Sequence, residues 1–266
     1  MLWLYQDWDS LMSFKVRACL AAKALSWQSR RVVLRDFEHL HPDYLALNPA
    51  GVVPTLVHNG QVIRESSIIN EYLDETFMPS LVPSQPTARA SMRMWCKYFD
   101  DVIHPTLRVA SFQLMIRQRF TNMPPEALET LIASHPQPAR AAAFRNLLGT
   151  CVDYQAVQAS IQQLIAIAEL MEQRLTQHAW LAAETFTLAD ISTMALADRV
   201  SRLKFDFIWQ GKPQVQDWLS RIRVHPAYQQ AMCPPEYRMP SPKAEDLEQL
   251  GRLLKQQGLQ EQPASN

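Results

Sequence analysis

Three short stretches carry residue types whose spacing suits chemistry. The first is Asp9-Ser10-Leu11-Met12-Ser13-Phe14-Lys15-Val16-Arg17, lying between an extended run at 2–5 and an apolar-periodic run at 13–25. A hydroxyl and free N–H groups at a helix start donate to an anion. For a thiol, whose free pKa is about 8.5, such donors favour the thiolate. Each unit of lowering is worth about 1.4 kcal/mol and raises the thiolate fraction near tenfold. Ser10 is the first candidate for that role and Ser13 the second; both also read as simple N-cap residues. The second stretch is NPAGVVPTLVHNGQVIRESSIINEYLDE, residues 48–75. Within it, Val53-Pro54 precedes a strand, where an X-Pro bond readily adopts the cis isomer. A cis bond there turns the N–H and C=O of Val53 outward, so that they can pair with an extended ligand as an added strand. Further on, Glu65-Ser66 opens a helix, whose free N–H groups favour a carboxylate. An acid for an ammonium beside donors for a carboxylate fits an α-amino-acid head group, although a Glu-Ser pair is also an ordinary helix cap. The third element is His39, nine residues before Asn48.

The elements that must hold these residues alternate strand and helix. After the strand at 2–5 and the helix at 13–25, a second strand is expected at 31–34 and a short helix opens at His41-Pro42-Asp43. Residues 54–57 and 62–63 form a hairpin across His58-Asn59-Gly60-Gln61, and a helix runs over 66–77. The order β-α-β-α-β-β-α predicts an α/β layer on a mixed sheet in residues 1–79. Residues 80–87 read as a Pro-rich linker, and 88–240 as an all-α domain with helices at 88–120, 124–133, 138–148, 152–176, 187–203 and 213–222. A last helix at 244–257 and a frayed tail, EQPASN, complete the chain at 241–266. The connection over 121–153 is long enough to be a lid, and equally reads as an added helical hairpin. Phe186-Thr187-Leu188-Ala189-Asp190 has the form of a capping box with Asp in place of Glu.

On VVPTL, Glu65-Ser66, Ser10-x-x-Ser13-x-Lys15-Val16-Arg17 and the FTLAD segment, the chain resembles the glutathione transferases over most of its length, in particular their serine-type and etherase-related branches. The resemblance implies a thioredoxin-like first domain that binds glutathione as co-substrate. It places the Val53 backbone on the cysteinyl unit, Glu65 and Ser66 on the γ-glutamyl head group, and Ser10 on the sulfur. His39 matches the place where phi and theta members put a histidine on the glycyl carboxylate; as a bare sequence feature it is also a solvated loop residue. Val52 departs from the pattern, which carries Lys or Gln there for that carboxylate. Leu11, Met12, Tyr98, Phe112 and Met115 are candidates for an apolar substrate pocket, though such a stripe also suits a core. No cysteine stands at or beside Ser10, against a mixed-disulfide chemistry.

Composition narrows the classes further. Lys+Arg and Asp+Glu are 26 each, so no net field draws nucleic acid or an anionic membrane. No stretch approaches the roughly 18 apolar residues of a membrane helix. The four scattered cysteines suit a reducing compartment, and with no metal spacing among them no metal is expected. The expectation is a cytoplasmic, homodimeric glutathione transferase of detoxifying type that conjugates an apolar electrophile, or cleaves an ether or a carbon–halogen bond. A non-catalytic glutathione-binding or regulatory protein with the same fold is the alternative.

Overall fold

A computed structural model describes residues 1–148 and 151–258; the tail expected to fray lies outside the described residues. Strands β1 (Leu2–Gln6), β2 (Gln28–Arg31), β3 (Thr55–His58) and β4 (Gln61–Arg64) form one sheet in the order β2-β1-β3-β4. β1 pairs parallel with β2, Leu4 opposite Ser29, and antiparallel with β3, Leu4 opposite Leu56. β3 pairs antiparallel with β4, Leu56 opposite Ile63. Helices α1 (Leu11–Ala22), α2 (Pro42–Leu47) and α3 (Ser66–Thr76) complete the thioredoxin-like layer. The hairpin turn has Asn59 at φ 49° and Gly60 at φ 83°, the two left-handed positions that an Asn-Gly pair supplies at low cost.

Two expected boundaries shift for clear reasons. β2 lies at Gln28–Arg31, not 31–34, as a wholly exposed edge strand. Val32 N–H still reaches Gln6 C=O at 2.9 Å, but Glu38 then caps the Val33 N–H at 2.7 Å and draws Leu34–Asp36 into a 3₁₀ turn. Likewise α1 begins at Leu11 because Ser10 is its cap: its Oγ accepts from Ser13 N–H at 3.2 Å.

The rest of the chain is helical: α4 (Pro86–Tyr98), α5 (His104–Leu114), α6 (Pro125–Ala133), α7 (Pro138–Leu148), α8 (Tyr154–Gln177), α9 (Leu188–Leu203), α10 (Pro213–Val224), α11 (Pro226–Ala231) and α12 (Ala244–Gln256). The single helix expected at 88–120 is broken. Pro105 cannot donate and its ring crowds the carbonyl four residues back, so the helix widens to a π turn over Phe99–Ile103 before α5 resumes. A 3₁₀ turn at Ile116–Phe120 ends it. The stretch over 121–153 contains the hairpin α6–α7. Its inner face joins Phe37 of the first layer to Phe112, Phe120, Ile132, Ala141 and Leu148 in a cluster separate from the main core.

Buried ions tie the layers together. Lys15 meets Asp100 of the π turn at 2.6 Å and Ser67 at 2.9 Å. Arg17, also buried, donates to Ala231 C=O at the end of α11, Gln6 Oε1 and Trp8 C=O. Within the first layer, Lys23 pairs with Asp74 of α3 at 2.8 Å. In the helical part, the capping box at Thr187 and Asp190 is present. Asp190, with no exposed surface, accepts from Leu181 N–H, Thr187 N–H, Thr187 Oγ1–H and Trp218 Nε1–H at 3.0–3.1 Å. Replacing Asp190 with alanine orphans several of these donors in a dry interior. Asp190→Ala is therefore expected to cost about 3–5 kcal/mol, read as a lowered urea midpoint at unchanged m-value.

Candidate functional site

Between the two layers lies a cavity of about 480 Å³. One wall is built from the ends of first-layer elements: Ser10, Leu11 and Met12 at the start of α1, Val52, Val53 and Pro54 before β3, Glu65 and Ser66 at the start of α3, and His39. The opposite wall is helical, with Asp100, Asp101, His104, Arg108, Phe112 and Ile116 along the π turn and α5. Phe120, His135, Arg140 and Phe144 close one side from the hairpin region.

Ser10 faces the cavity with φ −80° and ψ 126°, outside the helix it caps. Because its oxygen already accepts the Ser13 N–H, the hydroxyl proton is free to point outward at an anion. Its position is fixed from beneath by Asp9. That carboxylate accepts Arg199 Nη2 at 2.9 Å, Arg202 Nη2 at 2.7 Å, and the Met239 N–H. Arg199 also donates to the Asp9 carbonyl at 2.8 Å. Burial opposes the charge on Asp9, but the two guanidinium groups and the Met239 N–H outweigh it and hold the carboxyl below its ordinary range.

The Val53–Pro54 bond is cis, and the Val53 N–H and C=O have no hydrogen-bond partner among the described residues. Beside them, the Val52 carbonyl accepts from Tyr44 Oη–H at 2.6 Å and Asn48 Nδ2–H at 2.8 Å, which pins the loop. Glu65 sits at φ 65° and ψ 114°, a conformation that costs a non-glycine residue of order 1–3 kcal/mol. Its carboxylate has no partner among the described residues. Ser66, buried, turns its hydroxyl onto Met12 Sδ at 3.4 Å, a weak contact easily exchanged. An unpaired strand-end amide, an unpartnered strained carboxylate and a helix start with an available hydroxyl are the features an extended peptide with an amino-acid head group requires.

His39 stacks on Phe37 with ring centroids 5.8 Å apart. Burial, with His135 and His41 nearby, lowers its pKa to about 4, so the ring is neutral at pH 7 and offers a hydrogen bond to a carboxylate, not an ion pair.

Three of the sequence candidates lie outside the cavity. Ser13 is buried with its Oγ unpartnered among the described residues, beneath the helix start. Met115 is packed in the main core, and Tyr98 lies against Trp95 at 5.7 Å. Tyr98 ends α4 ahead of the π turn, and Met115 caps α5 three residues after Phe112. Among the cavity residues that sequence reasoning passed over are His104, Arg108, Arg119, His135 and Arg140. Counting four and eight residues back from Phe112 along α5 finds the first two. Lys15 and Arg17 are buried and do not line the cavity, although Lys15 bonds to Asp100, which does.

The family model for the glutathione S-transferase N-terminal domain matches residues 9–76, and that for the C-terminal domain matches 133–226. Protein LigF of Sphingobium is 29% identical over 232 residues, 84% of this chain and 90% of that protein. Glutathione S-transferase 3 of Zea mays is 28% identical over 223 residues, 82% of this chain and 87% of that protein. A maleylacetoacetate isomerase of Pseudomonas aeruginosa is 43% identical, but over 119 residues, 43% of this chain and 56% of that protein. Among solved structures, the beta-etherase LigF of Sphingobium superposes with a TM-score of 0.78 at 27% identity, covering 86% of this chain and 98% of that one. With both domain models matched in order and the LigF structure superposing over 86% of the chain, the chain belongs to the glutathione transferase family.

Proposed function

We propose that the protein is a glutathione transferase in which Ser10 activates the glutathione thiol for attack on an apolar electrophile, by conjugation or by ether cleavage. The observation that carries this reading is Ser10 itself. Its hydroxyl oxygen is satisfied from within the helix start, its proton is free, and it opens on the cavity beside the unpaired Val53 backbone. Glutathione fits the first-layer wall in one direction. Val53 N–H and C=O take the cysteinyl unit, Glu65 takes the α-ammonium, and Ser66 with the start of α3 takes the α-carboxylate. His39 donates to the glycyl carboxylate, compensating in part for Val52.

Bound glutathione supplies the nucleophilic sulfur. Ser10 and the α1 N–H groups favour its thiolate, while the opposite wall orients the electrophile. The sulfur bonds to carbon as the carbon–oxygen or carbon–halogen bond breaks, and the leaving group departs with the electron pair. Similarity to the beta-etherase LigF supports ether cleavage as one form of the reaction. Met12, Leu11 and Phe112 supply apolar surface beside the sulfur position.

A cytoplasmic, detoxifying role is in keeping with four unpaired cysteines, three of them buried. Among the described residues no helix is long and apolar enough to cross a membrane. Exposed apolar side chains on α3 and α4, Ile68 and Met94, support a homodimer through that face.

Ser10→Ala is expected to bind glutathione within about threefold of the parent yet lose the thiolate absorbance that glutathione develops on binding, with kcat down about 10²–10³-fold. Loss of affinity with an unchanged thiolate signal overturns the assignment. Glu65→Gly relieves the backbone strain and removes the carboxylate together. It should raise thermal stability by about 1 kcal/mol while raising KM for glutathione at least tenfold, measured by calorimetry and steady-state kinetics. Glu65→Ala should show the same KM without the stability gain.

A further inference from the structure

Asp7, Asp9, Arg35, Arg119 and Arg199 line the cavity as one mixed-sign group around Asp9; the remaining charges on its wall are sorted, and the sorting is not explained by glutathione. Its acidic end holds Glu65, Asp100 and Asp101, with Asp100 already tied to Lys15 and Ser67, and Asp101 to Lys97 at 2.6 Å. Roughly 12 Å further along the helical wall, at about 1.5 Å per residue, Arg108 opens into the same cavity. Arg140 joins it from α7, with His135 from the turn before that helix. Neither arginine has a carboxylate partner among the described residues. Arg108 lies over the Phe112 ring, 5.1 Å from its centroid, and Arg140 donates only to the neutral side-chain oxygen of Gln137, at 2.6 Å. Burial, with Arg140 close by, pulls the Arg108 pKa down, and burial with Arg108 and Lys15 lowers His104 to about 3. Burial is the main cause of both shifts; the neighbouring cations add to it, and Asp100 opposes it at His104.

Clustered cations that are partly desolvated and unpaired cost free energy, which a bound anion recovers. The setting specifies more than charge. Phe112, Phe120 and Phe144 meet edge to face around the same spot, Phe112 and Phe144 at 5.1 Å and 90°. Arg108 and Phe112 stand one turn apart on α5, on the wall facing Ser10 and Val53, so the cations border the electrophile's side of the cavity. His39 already provides a neutral donor on the opposite wall for the glycyl end. We propose that Arg108 and Arg140 bind a carboxylate carried by the electrophile, and that the preferred substrates are aromatic compounds bearing that carboxylate beside the reacting carbon's ring. This rests on the glutathione-transferase reading of the site.

The test uses the full chain with 4-chloro-3,5-dinitrobenzoate and its methyl ester. In each, the glutathione sulfur bonds to the ring carbon, chloride leaves with the bonding pair, and the thiol proton passes to solvent. The quantity read is the benzoate-to-ester ratio of kcat/KM, in which intrinsic reactivity cancels between variants. Arg108→Gln is expected to lower that ratio about 10- to 100-fold, Arg140→Gln to lower it by a smaller factor, and Arg108→Lys to recover part of it. A ratio unchanged within about twofold in both glutamine variants overturns the proposal. So does a rise in KM for glutathione that matches the loss, since it would assign the cations to the tripeptide's own carboxylate. Absence of a thiolate signal in the parent protein sinks the transferase reading and this one with it; a normal thiolate signal with a flat ratio sinks this one alone. Arg140 sits on the surface hairpin, so its variant keeps the test decisive if Arg108→Gln does not fold.

Discussion

The ion cluster at Asp9 is the constraint on which the site depends. One carboxylate, next in sequence to Ser10, accepts from Arg199 and Arg202 on α9 and from the backbone N–H of Met239. Two segments far from it in sequence, α9 and the stretch at Met239, thereby converge on the turn that presents the proposed thiol-activating hydroxyl. Arg199 has 4% of its side chain exposed and continues to Ser111 Oγ at 3.1 Å on α5, the helix that forms the opposite wall. A buried pair of this kind contributes little net stability, because desolvation cancels much of the attraction. What it contributes is position: breaking it leaves a buried guanidinium uncompensated, so alternative settings of the two walls are excluded. The cavity's width is set by this cluster together with Arg17 and Lys15, and a nucleophile must meet an electrophile within a few tenths of an ångström of its productive geometry.

The second constraint is a helical irregularity. Without Pro105 the chain from α4 into α5 would run as one helix of constant period, and the residues of α5 would hold a different rotation relative to α4. The π turn inserts an extra residue and rotates the helix beyond it. Asp100 reaches across to Lys15 and Ser67, which lies immediately after the pair proposed to hold the glutathione head group, while His104, Arg108 and Phe112 share the cavity face. One proline thus decides both a contact between the layers and the composition of the wall proposed to meet the electrophile.

The parts legible in the sequence are those whose signals are local. The Asn-Gly hairpin, the Val53-Pro54 strand entry, the Thr187-Asp190 cap and the paired Glu65-Ser66 each announce themselves in a few residues, because the backbone conformation they require admits few alternatives. The α/β layer and the helical remainder came from period and turn signals, and the thioredoxin-like identity of that layer from the family resemblance. What stayed hidden was long-range. Nothing near Asp9 predicts two arginines about 190 residues away, and nothing near Phe37 predicts that a helical hairpin will cover it. The displaced β2 teaches the same point from the other side. Val32, Val33 and Leu34 have the highest strand preference locally, yet the ladder falls on the polar residues before them, because Glu38 and Asp7 take the amides of Val33 and Leu34 first. Met115 and Tyr98 do not line the cavity, since Met115 turns into the main core and Tyr98 packs beside Trp95, contacts that local spacing does not announce.

The helical hairpin joins these observations. Connections of this length are expensive to order unless they bury something, and here the buried element is aromatic: Phe37 from the first layer meets Phe120 at 5.9 Å and Phe144 at 6.1 Å. Phe37 can reach them because it adopts φ 59°, a left-handed setting that projects it away from its own layer between two 3₁₀ turns. The hairpin is therefore neither a pure lid nor a pure structural addition. Its apolar face bridges the layers, and in doing so it delivers Arg140 and His135 to a cavity that would otherwise end in open solvent. Enclosure lowers the local dielectric, so the same cations exert a stronger pull on an anion than they would at a surface. The aromatic contact and the unpaired charge are two consequences of one insertion, and the charge is the costlier of the two, which is why a bound anion is the simplest account of its presence.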